Sequence, residues 1–442
     1  MKNIIPYIIV LICLPLLSVN GQDILTFNSL ESLFQFAEEN SYAIKTNKQN
    51  TILAKYQKLA ALANIVNFRN PLVFTMTDNT KLAKTFVDPH ALNPSVPAGG
   101  PLESITLGIQ YVSNANITPQ IDIINPANWS QVKSASINEV LTSTQNKLNK
   151  KALYESIAAC YYNIISYKEQ IEVTRKNLSS TDSILTIVKN KFDQGLVRQK
   201  DVNDATINKL SLQDKFNQLN ISLEQQYNSL KILCDIPSGK QLIIEEKLNY
   251  DQQFETDLEA SSQLQFMSSL LQMEYAKNDY RNNLLSNLPV VSLLYNTALY
   301  QNSNVQFYDP NAKWLNAVYY GAKLSWNIPD ITHIVSSSNS KVSYHIAKIN
   351  FEHNKLQNDI NNNQLILDYE KYYSQYSANK QILSLKADNY RMASNQFSES
   401  ILPVDNLLNS FNDMLVSRLN YCSVIANLAY TRSKIDINNK IK

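Results

Sequence analysis

Apolar positions recur every seven residues over two long stretches of the chain. Ile157, Ile164, Ile171, Leu178, Leu185 and Phe192 form the first series, beside a more polar seam of Cys160, Tyr167, Thr174, Thr181 and Val188. Tyr369, Tyr376, Leu383, Tyr390 and Phe397 form the second. A sustained heptad predicts coiled-coil helices. The two series share one register, because each residue from Tyr369 to Phe397 lies 205 positions after one of Ile164, Ile171, Leu178, Leu185 and Phe192. The same offset relates Phe216 to Tyr421, Leu223 to Leu428 and Leu230 to Ile435. A fixed offset sustained in this way argues for duplication.

Each half reads in the same order. The first predicts helices over about 29–66, 129–194 and 200–233, ended by Pro71, Gly195 and Ile236-Pro237-Ser238-Gly239 in turn. At 1.5 Å per residue the middle one spans roughly 100 Å. Alternating segments at Leu72–Thr77 and Ile117–Ile124 predict strands. The second half predicts helices over about 254–286, 332–399 and 404–436, with strands at Leu288–Tyr300 and Val318–Trp326. A long loop, Asn79–Leu102, carries Pro89, Pro94, Pro97 and Pro101, and a shorter one covers Gln301–Asn316. The fold class is mainly α with a small β part: long antiparallel coiled-coil helices in two repeats, 22–239 and 240–442.

The first residues read as a secretory signal. Lys2 precedes an apolar run from Ile4 to Leu17, and Val19-Asn20-Gly21 offers a cleavage site, giving a signal peptide of 1–21. A retained membrane anchor is the competing reading. Cys13 sits inside the apolar run, without the small residues that lipoprotein processing requires. Further along, no apolar run approaches the 18 residues of a membrane helix; the best, Leu288 to Tyr295, contains Ser292. A membrane location would therefore require strands closed into a barrel. Trp129, Trp314 and Trp326, the only tryptophans, lie at or near predicted strand ends, and Tyr300, Phe307, Tyr308, Tyr319 and Tyr320 crowd the same zone. Aromatic rings favour membrane interfaces, although a soluble sheet with aromatic edges accounts for them equally. Two strands per half make four per chain, and membrane barrels need about eight. A barrel would have to be shared by two, three or four chains, and the residues do not choose among these.

Charge and chemistry exclude several classes. With 40 basic and 38 acidic residues, the net charge of +2 leaves no electrostatic footprint for nucleic acid. Only 7 glycines are present, and no phosphate-binding loop, GxSxG or HExxH is found. Cys160, Cys234 and Cys422 form no CxxC pair and fit buried thiols. His90, His333, His345 and His353 lack the spacing of a ligand set; the last two sit about 12 Å apart along a helix. No catalytic residue, cofactor or metal is expected, and the chain does not read as an enzyme.

The turn Lys191-Phe-Asp-Gln-Gly-Leu-Val-Arg-Gln-Lys-Asp-Val-Asn-Asp-Ala205 resembles the helix-loop-helix tip of the TolC-like outer-membrane factor family, in which an aromatic, a Gly-Leu or Gly-Val and a following Asp-Val recur. Leu233-Cys-Asp-Ile-Pro-Ser-Gly239 is similar to the segment ending that family's first repeat, and Leu324-Ser-Trp-Asn-Ile-Pro-Asp330 to its last strand leading into the long helix. The resemblance covers nearly the whole chain after residue 21. It implies a trimer whose strands share one transmembrane β-barrel over a helical tunnel, without catalytic activity. It implies as partners a periplasmic adaptor, an inner-membrane transporter and outer-membrane lipid, in drug efflux or type I secretion. A soluble periplasmic coiled-coil scaffold or adaptor is the alternative. Two features depart from the family: Ser400 and Pro403 stand in the second tip where Gly195 and Arg198 stand in the first, and the Pro-rich loop would partly cover the external mouth.

Acidic residues flank both tips: Asp193, Asp201 and Asp204 at the first, and Glu399, Asp405 and Asp413 at the second. Around a symmetry axis an inward carboxylate becomes a ring selecting cations. Helix capping is the competing explanation, strongest for Asp201 and Asp405 at helix starts. Asp193 ends its helix, where a carboxylate gains nothing as a cap, so Asp193, or Glu399 at the matching end of the second half, is the expected gate carboxylate.

Overall fold

The computed structural model describes residues 24–247, 258–326 and 331–441. The signal segment 1–21 with Cys13, the first four residues of the helix predicted from Phe254, and Asn327–Asp330 of the third motif lie outside them; 258–263 are described and not helical, so that helix begins only at Leu264.

In chain order the first half holds β1 (Ile24–Phe27), α1 (Leu30–Asn40), α2 (Tyr42–Val66), β2 (Leu72–Asp78), β3 (Lys84–Val87), α3 (Pro89–Leu92), β4 (Glu103–Thr106), β5 (Tyr111–Ile117), β6 (Gln120–Ile124), α4 (Pro126–Asp193) and α5 (Gln199–Leu233). There follow β7 (Gln241–Ile244), α6 (Leu264–Leu285), β8 (Val290–Ser303), β9 (Leu315–Ser325), α7 (Ile331–Ser398) and α8 (Val404–Lys440). The chain is mainly helical with a small β part. The helices α4 and α7 are each 68 residues long, and both of their ends lie 205 residues apart in sequence. None of the described helices is long and apolar enough to cross a membrane.

Two compact units divide the chain. One takes the chain up to Asn47, Asn146–Gln263 and the chain from Asp359 onward; the other takes Lys48–Gln145 and Leu264–Asn358. Each draws on both halves of the sequence.

In the first unit β1 and β7 pair in parallel, Ile24 opposite Gln241 through Phe27 opposite Ile244. These two short strands were not predicted; at four residues each they carry too little alternation to read. They close a core of Phe27, Leu33, Tyr161, Ile164, Leu230 and Ile244. Phe34 stacks on Tyr154 at 4.1 Å, and the Tyr154 hydroxyl donates to Glu38 Oε1 at 2.6 Å.

The first predicted helix is two, broken at Ser41. The Tyr42 N–H donates to Asp235 Oδ2 at 2.7 Å, so a carboxylate 193 residues away caps α2. Asp235 belongs to the Leu233–Gly239 motif and adopts φ +53°. The heptad also shifts along α4. Ile157 and Ile164 are fully buried, yet further on it is Thr174, Thr181 and Val188 that are buried, while Phe192 is 38% exposed. Leu185 stays buried as well, and with Val188 it joins a second core that includes Phe411 and Leu415 of α8, so the buried arc follows a change of packing partner along α4. Thr174 and Thr181 return their hydroxyls to the carbonyls of Gln170 and Asn177 at 2.7 and 2.9 Å, so their burial leaves no lost hydrogen bond. No disulfide joins Cys160, Cys234 and Cys422 among the described residues; Cys234 is buried, which pushes its thiol up to about 12, and Cys160 is half-buried.

The second unit carries the sheet. β2 pairs with β5, β5 and β6 pair with successive stretches of β8, and β9 pairs with β8 along the opposite edge, all antiparallel. The segment predicted as one strand, Ile117–Ile124, is interrupted at Thr118-Pro119, because Pro119 has no N–H to donate. Its carbonyl still accepts from Tyr295 N–H at 3.0 Å, so β5 and β6 run as one row. The five strands therefore lie in the four rows expected. β3, inside the Pro-rich loop, pairs with β4 just after it, and Asp88 caps α3 through the His90 N–H.

Candidate functional site

Strand register gives the sheet a more apolar and a more polar face, although Ser113, Gln301 and Ser303 fall on the first and Val73, Leu294 and Tyr319 on the second. On one face lie Leu72 and Phe74 of β2, Ala115 and Ile117 of β5, Leu293, Tyr295 and Leu299 of β8, and Val318, Tyr320 and Leu324 of β9. Tyr320 is 88% exposed and Leu72 71%. The other face carries Thr75, Asn114, Asn116, Asp122, Ser292, Asn296 and Lys323. Asp122 is buried there, and its carboxylate accepts from Ser292 Oγ at 2.7 Å, Asn125 Nδ2 at 3.1 Å, Gln120 Nε2 at 3.3 Å and Asn67 Nδ2. This polar face was not singled out in the sequence; the signal was present as Ser292 and Asn296 at even positions within the mostly apolar first part of β8.

The sheet is open. Among the described residues β2 pairs only with β5, and β9 only with β8. Every residue of β2 is exposed. Such edges expose unpaired backbone groups, which lipid does not tolerate and solution penalises by aggregation.

Tryptophans bracket β9. Trp314 precedes it and Trp326 follows it, both exposed. The residue steps from Trp314 to Trp326 rise about 40 Å, or near 30 Å along the axis of a barrel with strands tilted about 40°. Trp326 donates its indole N–H to the Asn287 carbonyl at 3.0 Å. At the other end Trp314 meets Tyr308, and Tyr308 stacks with Phe74, each pair at 6.2 Å. Trp129 lies in the first turn of α4, on the Trp326 side, since Ile124 pairs with Val291 and Val291 with Leu324.

The first unit carries both helical tips. Gly195 takes φ +74°, and Ser400 takes φ +61° at the matching place, a left-handed conformation that glycine adopts without strain and serine with some. Pro403 is the N-cap of α8 and not its first helical residue. The acidic residues separate by environment. Asp201 is buried and accepts the Arg198 N–H at 2.7 Å, which closes the first turn of α5, so its role is capping. Asp204 pairs with Lys200 at 2.9 Å, and Asp413 pairs with Lys386. Asp204, then Asp405 and Asp201, hold the Lys200 ammonium above its ordinary range. Asp405 is exposed in the first turn of α8. Asp193 and Glu399 are exposed. Asp201→Ala should lower thermal stability by about 1 kcal/mol, the ordinary cost of a lost cap; thermal melts indistinguishable from wild type would contradict that role.

A contact between the tips was not anticipated. Lys191 Nζ donates to the Phe397 carbonyl at 3.1 Å and to Ser400 Oγ at 2.8 Å, and lies 4.6 Å from the centre of the Phe397 ring. The first hairpin thus grips the left-handed turn of the second. Among the described residues no group of three His, Cys, Asp or Glu side chains is placed to hold a metal ion.

No protein-family profile matches the chain, and no curated protein matches it in sequence. Solved structures do match. The outer membrane protein VceC from Vibrio cholerae superposes with a TM-score of 0.72 at 13% identity, over 92% of this chain and 94% of that one. A membrane protein from Pseudomonas aeruginosa gives 0.74 at 11% identity, over 92% and 93%. The Campylobacter jejuni CmeC outer membrane channel gives 0.70 at 13% identity, over 92% and 85%. The fold is that of TolC-like outer membrane channels.

Proposed function

We propose that this chain is one subunit of an outer-membrane channel, a passive duct serving a tripartite efflux pump or a type I secretion system. The observation that carries the reading is the open sheet with an apolar face, a polar face and two unpaired edges. Three copies, each giving four strand rows, would close a twelve-stranded barrel and remove every edge. The apolar rows would face lipid and the polar rows the lumen. A soluble scaffold gives no reason for Tyr320, Leu72 and Leu324 to stand exposed in one apolar face.

Further support for an oligomer comes from the helices. Val335, Val342, Ile349 and Leu356 of α7 are all exposed and recur every seven residues, as do Ile52, Leu59 and Val66 of α2. These are coiled-coil seams that neighbouring copies would cover. On this reading the chain is a homotrimer made of two repeats, 22–239 and 240–442, exported by a signal peptide. Its tips meet a periplasmic adaptor that couples to an inner-membrane transporter. Asp193 and Glu399 contribute to an acidic ring at the periplasmic entrance, and no step of catalysis is involved.

The test is reconstitution. The purified protein should be a trimer in detergent and conduct ions in planar bilayers, with current blocked by divalent or trivalent cations. Asp193→Ala combined with Glu399→Ala should weaken that block. A folded, helical monomer that needs no detergent would rule out the shared barrel, whereas unchanged block in the double variant would remove only the acidic ring.

A further inference from the structure

We propose that a pocket between the first turns of α4 and the last turns of α6 binds the phosphate of an anionic phospholipid headgroup. The pocket is about 250 Å³ and is lined by Trp129, Ser130, Lys133, Asn278, Arg281 and Leu285, with Pro126 at its edge. All of these residues belong to the second compact unit.

Four observations converge. First, the lining carries two cations and no carboxylate. Lys133 and Arg281 form no ion pair among the described residues, and both are exposed. Second, the hydroxyl of Ser130 is buried and has no hydrogen-bond partner, although the residue is only 7% exposed. A buried hydroxyl without a partner is costly, and a turn of this side chain about χ1 would let it donate to a phosphate oxygen in the pocket. Asn278 fixes this wall by donating to the Ser130 carbonyl at 2.8 Å and to Ser134 Oγ at 2.7 Å. Third, the pocket opens at the N-terminal end of a 68-residue helix, whose first N–H groups carry partial positive charge. Fourth, Trp129 is 52% exposed beside it. An indole half in water gains little, but at the headgroup level of a bilayer its apolar body and N–H are both accommodated.

The position fits the same occupant. Pro126 follows β6 by two residues, and Leu285 precedes β8 by five, on the Trp326 side of the sheet. The strands would leave lipid at this level, so the inference rests on the membrane reading of the sheet. Acyl carbons would lie along Trp129 and Leu285, and the phosphate would sit between Lys133 and Arg281. A zwitterionic headgroup would bring an ammonium against two cations, so an anionic lipid is favoured.

Native mass spectrometry of the detergent-solubilised protein tests this with phosphatidylglycerol, phosphatidylcholine and inorganic phosphate as probes. Wild type should retain one phosphatidylglycerol per chain and little phosphatidylcholine, and about 10 mM phosphate should not displace it. Lys133→Gln with Arg281→Gln should lower retention about thirtyfold, each cation near an anionic surface contributing close to a fivefold factor. Lys133→Arg should keep it, and Ser130→Ala should weaken it without loss of trimer, which guards against a variant that merely misfolds. Equal retention of both lipids, full displacement by phosphate, or unchanged retention in the double variant would overturn the proposal. Planar-bilayer conductance of the same preparation separates the two readings. Conductance without selective retention defeats only the pocket, and absence of both conductance and detergent dependence defeats the channel.

Discussion

Arginine at position 320 should nearly abolish assembled protein, while arginine at position 319 should leave it close to wild type. Tyr320 sits at the middle of β9, opposite Tyr295 and on the apolar face. Tyr319 is its immediate neighbour, opposite Asn296 on the polar face. Side chains alternate across a strand, so the two positions sample opposite surroundings within one residue. A guanidinium facing lipid near the bilayer midplane costs about 2–4 kcal/mol, whereas one facing a water-filled lumen keeps its hydration. Three copies carry the change in a trimer, so the cost to assembly is multiplied. An arginine scan from Val318 to Leu324, read as heat-resistant oligomer in outer-membrane fractions, should show losses at 318, 320, 322 and 324 and tolerance between them. A flat profile, or losses confined to 319, 321 and 323, would mean that the apolar face does not meet lipid.

The parts of this fold that were legible in the sequence are those in which one pattern repeats for a long distance. The 68-residue helices, the breaks at Gly195 and Ser400, and the four strand rows all follow from periods of seven or two sustained over many residues. What escaped depends on pairings between residues remote in sequence. β1 and β7 find each other across more than 200 residues and are too short to announce themselves. Asp235 caps α2 from a turn that the sequence marks only as a helix stop. Thr174 and Thr181 are buried on α4 because its packing partners change between one core and the next, which no local window reveals. The acidic residues of the tip illustrate the limit. Position along the helix already marked Asp201 as a cap, whereas the ion pair that occupies Asp204 comes only from the contact with Lys200.

Removing the Lys191 ammonium should shift the channel toward its open state. The two hairpin tips of a chain are tied by one side chain: Lys191 reaches the Phe397 carbonyl, Ser400 Oγ and the face of the Phe397 ring. The carbonyl matters because Phe397 lies at the end of α7, where the dipole favours a cation, and it takes the ammonium as a second donor beside the Ser400 N–H at 3.0 Å. Ser400 matters because its left-handed turn exposes the hydroxyl to the grip. Lys191 is only partly buried, so solvent discounts each interaction, and about 1 kcal/mol per chain is a reasonable net value. If the three chains of a trimer open together the contributions sum to about 3 kcal/mol, an increase in open population on the order of a hundredfold. Lys191→Met keeps the stem that packs on Phe397 and removes the charge, so the packing of the tip should survive. Lys189→Met, an exposed neighbour on the same helix, serves as control. Single-channel recording in planar bilayers should show long open dwells for Lys191→Met and wild-type gating for Lys189→Met, and cells carrying the first variant should admit large antibiotics that the outer membrane normally excludes. Wild-type dwell times in Lys191→Met would show that the tips are held shut by packing around Phe411 and Leu407 alone, with the lysine a surface contact of no consequence for gating.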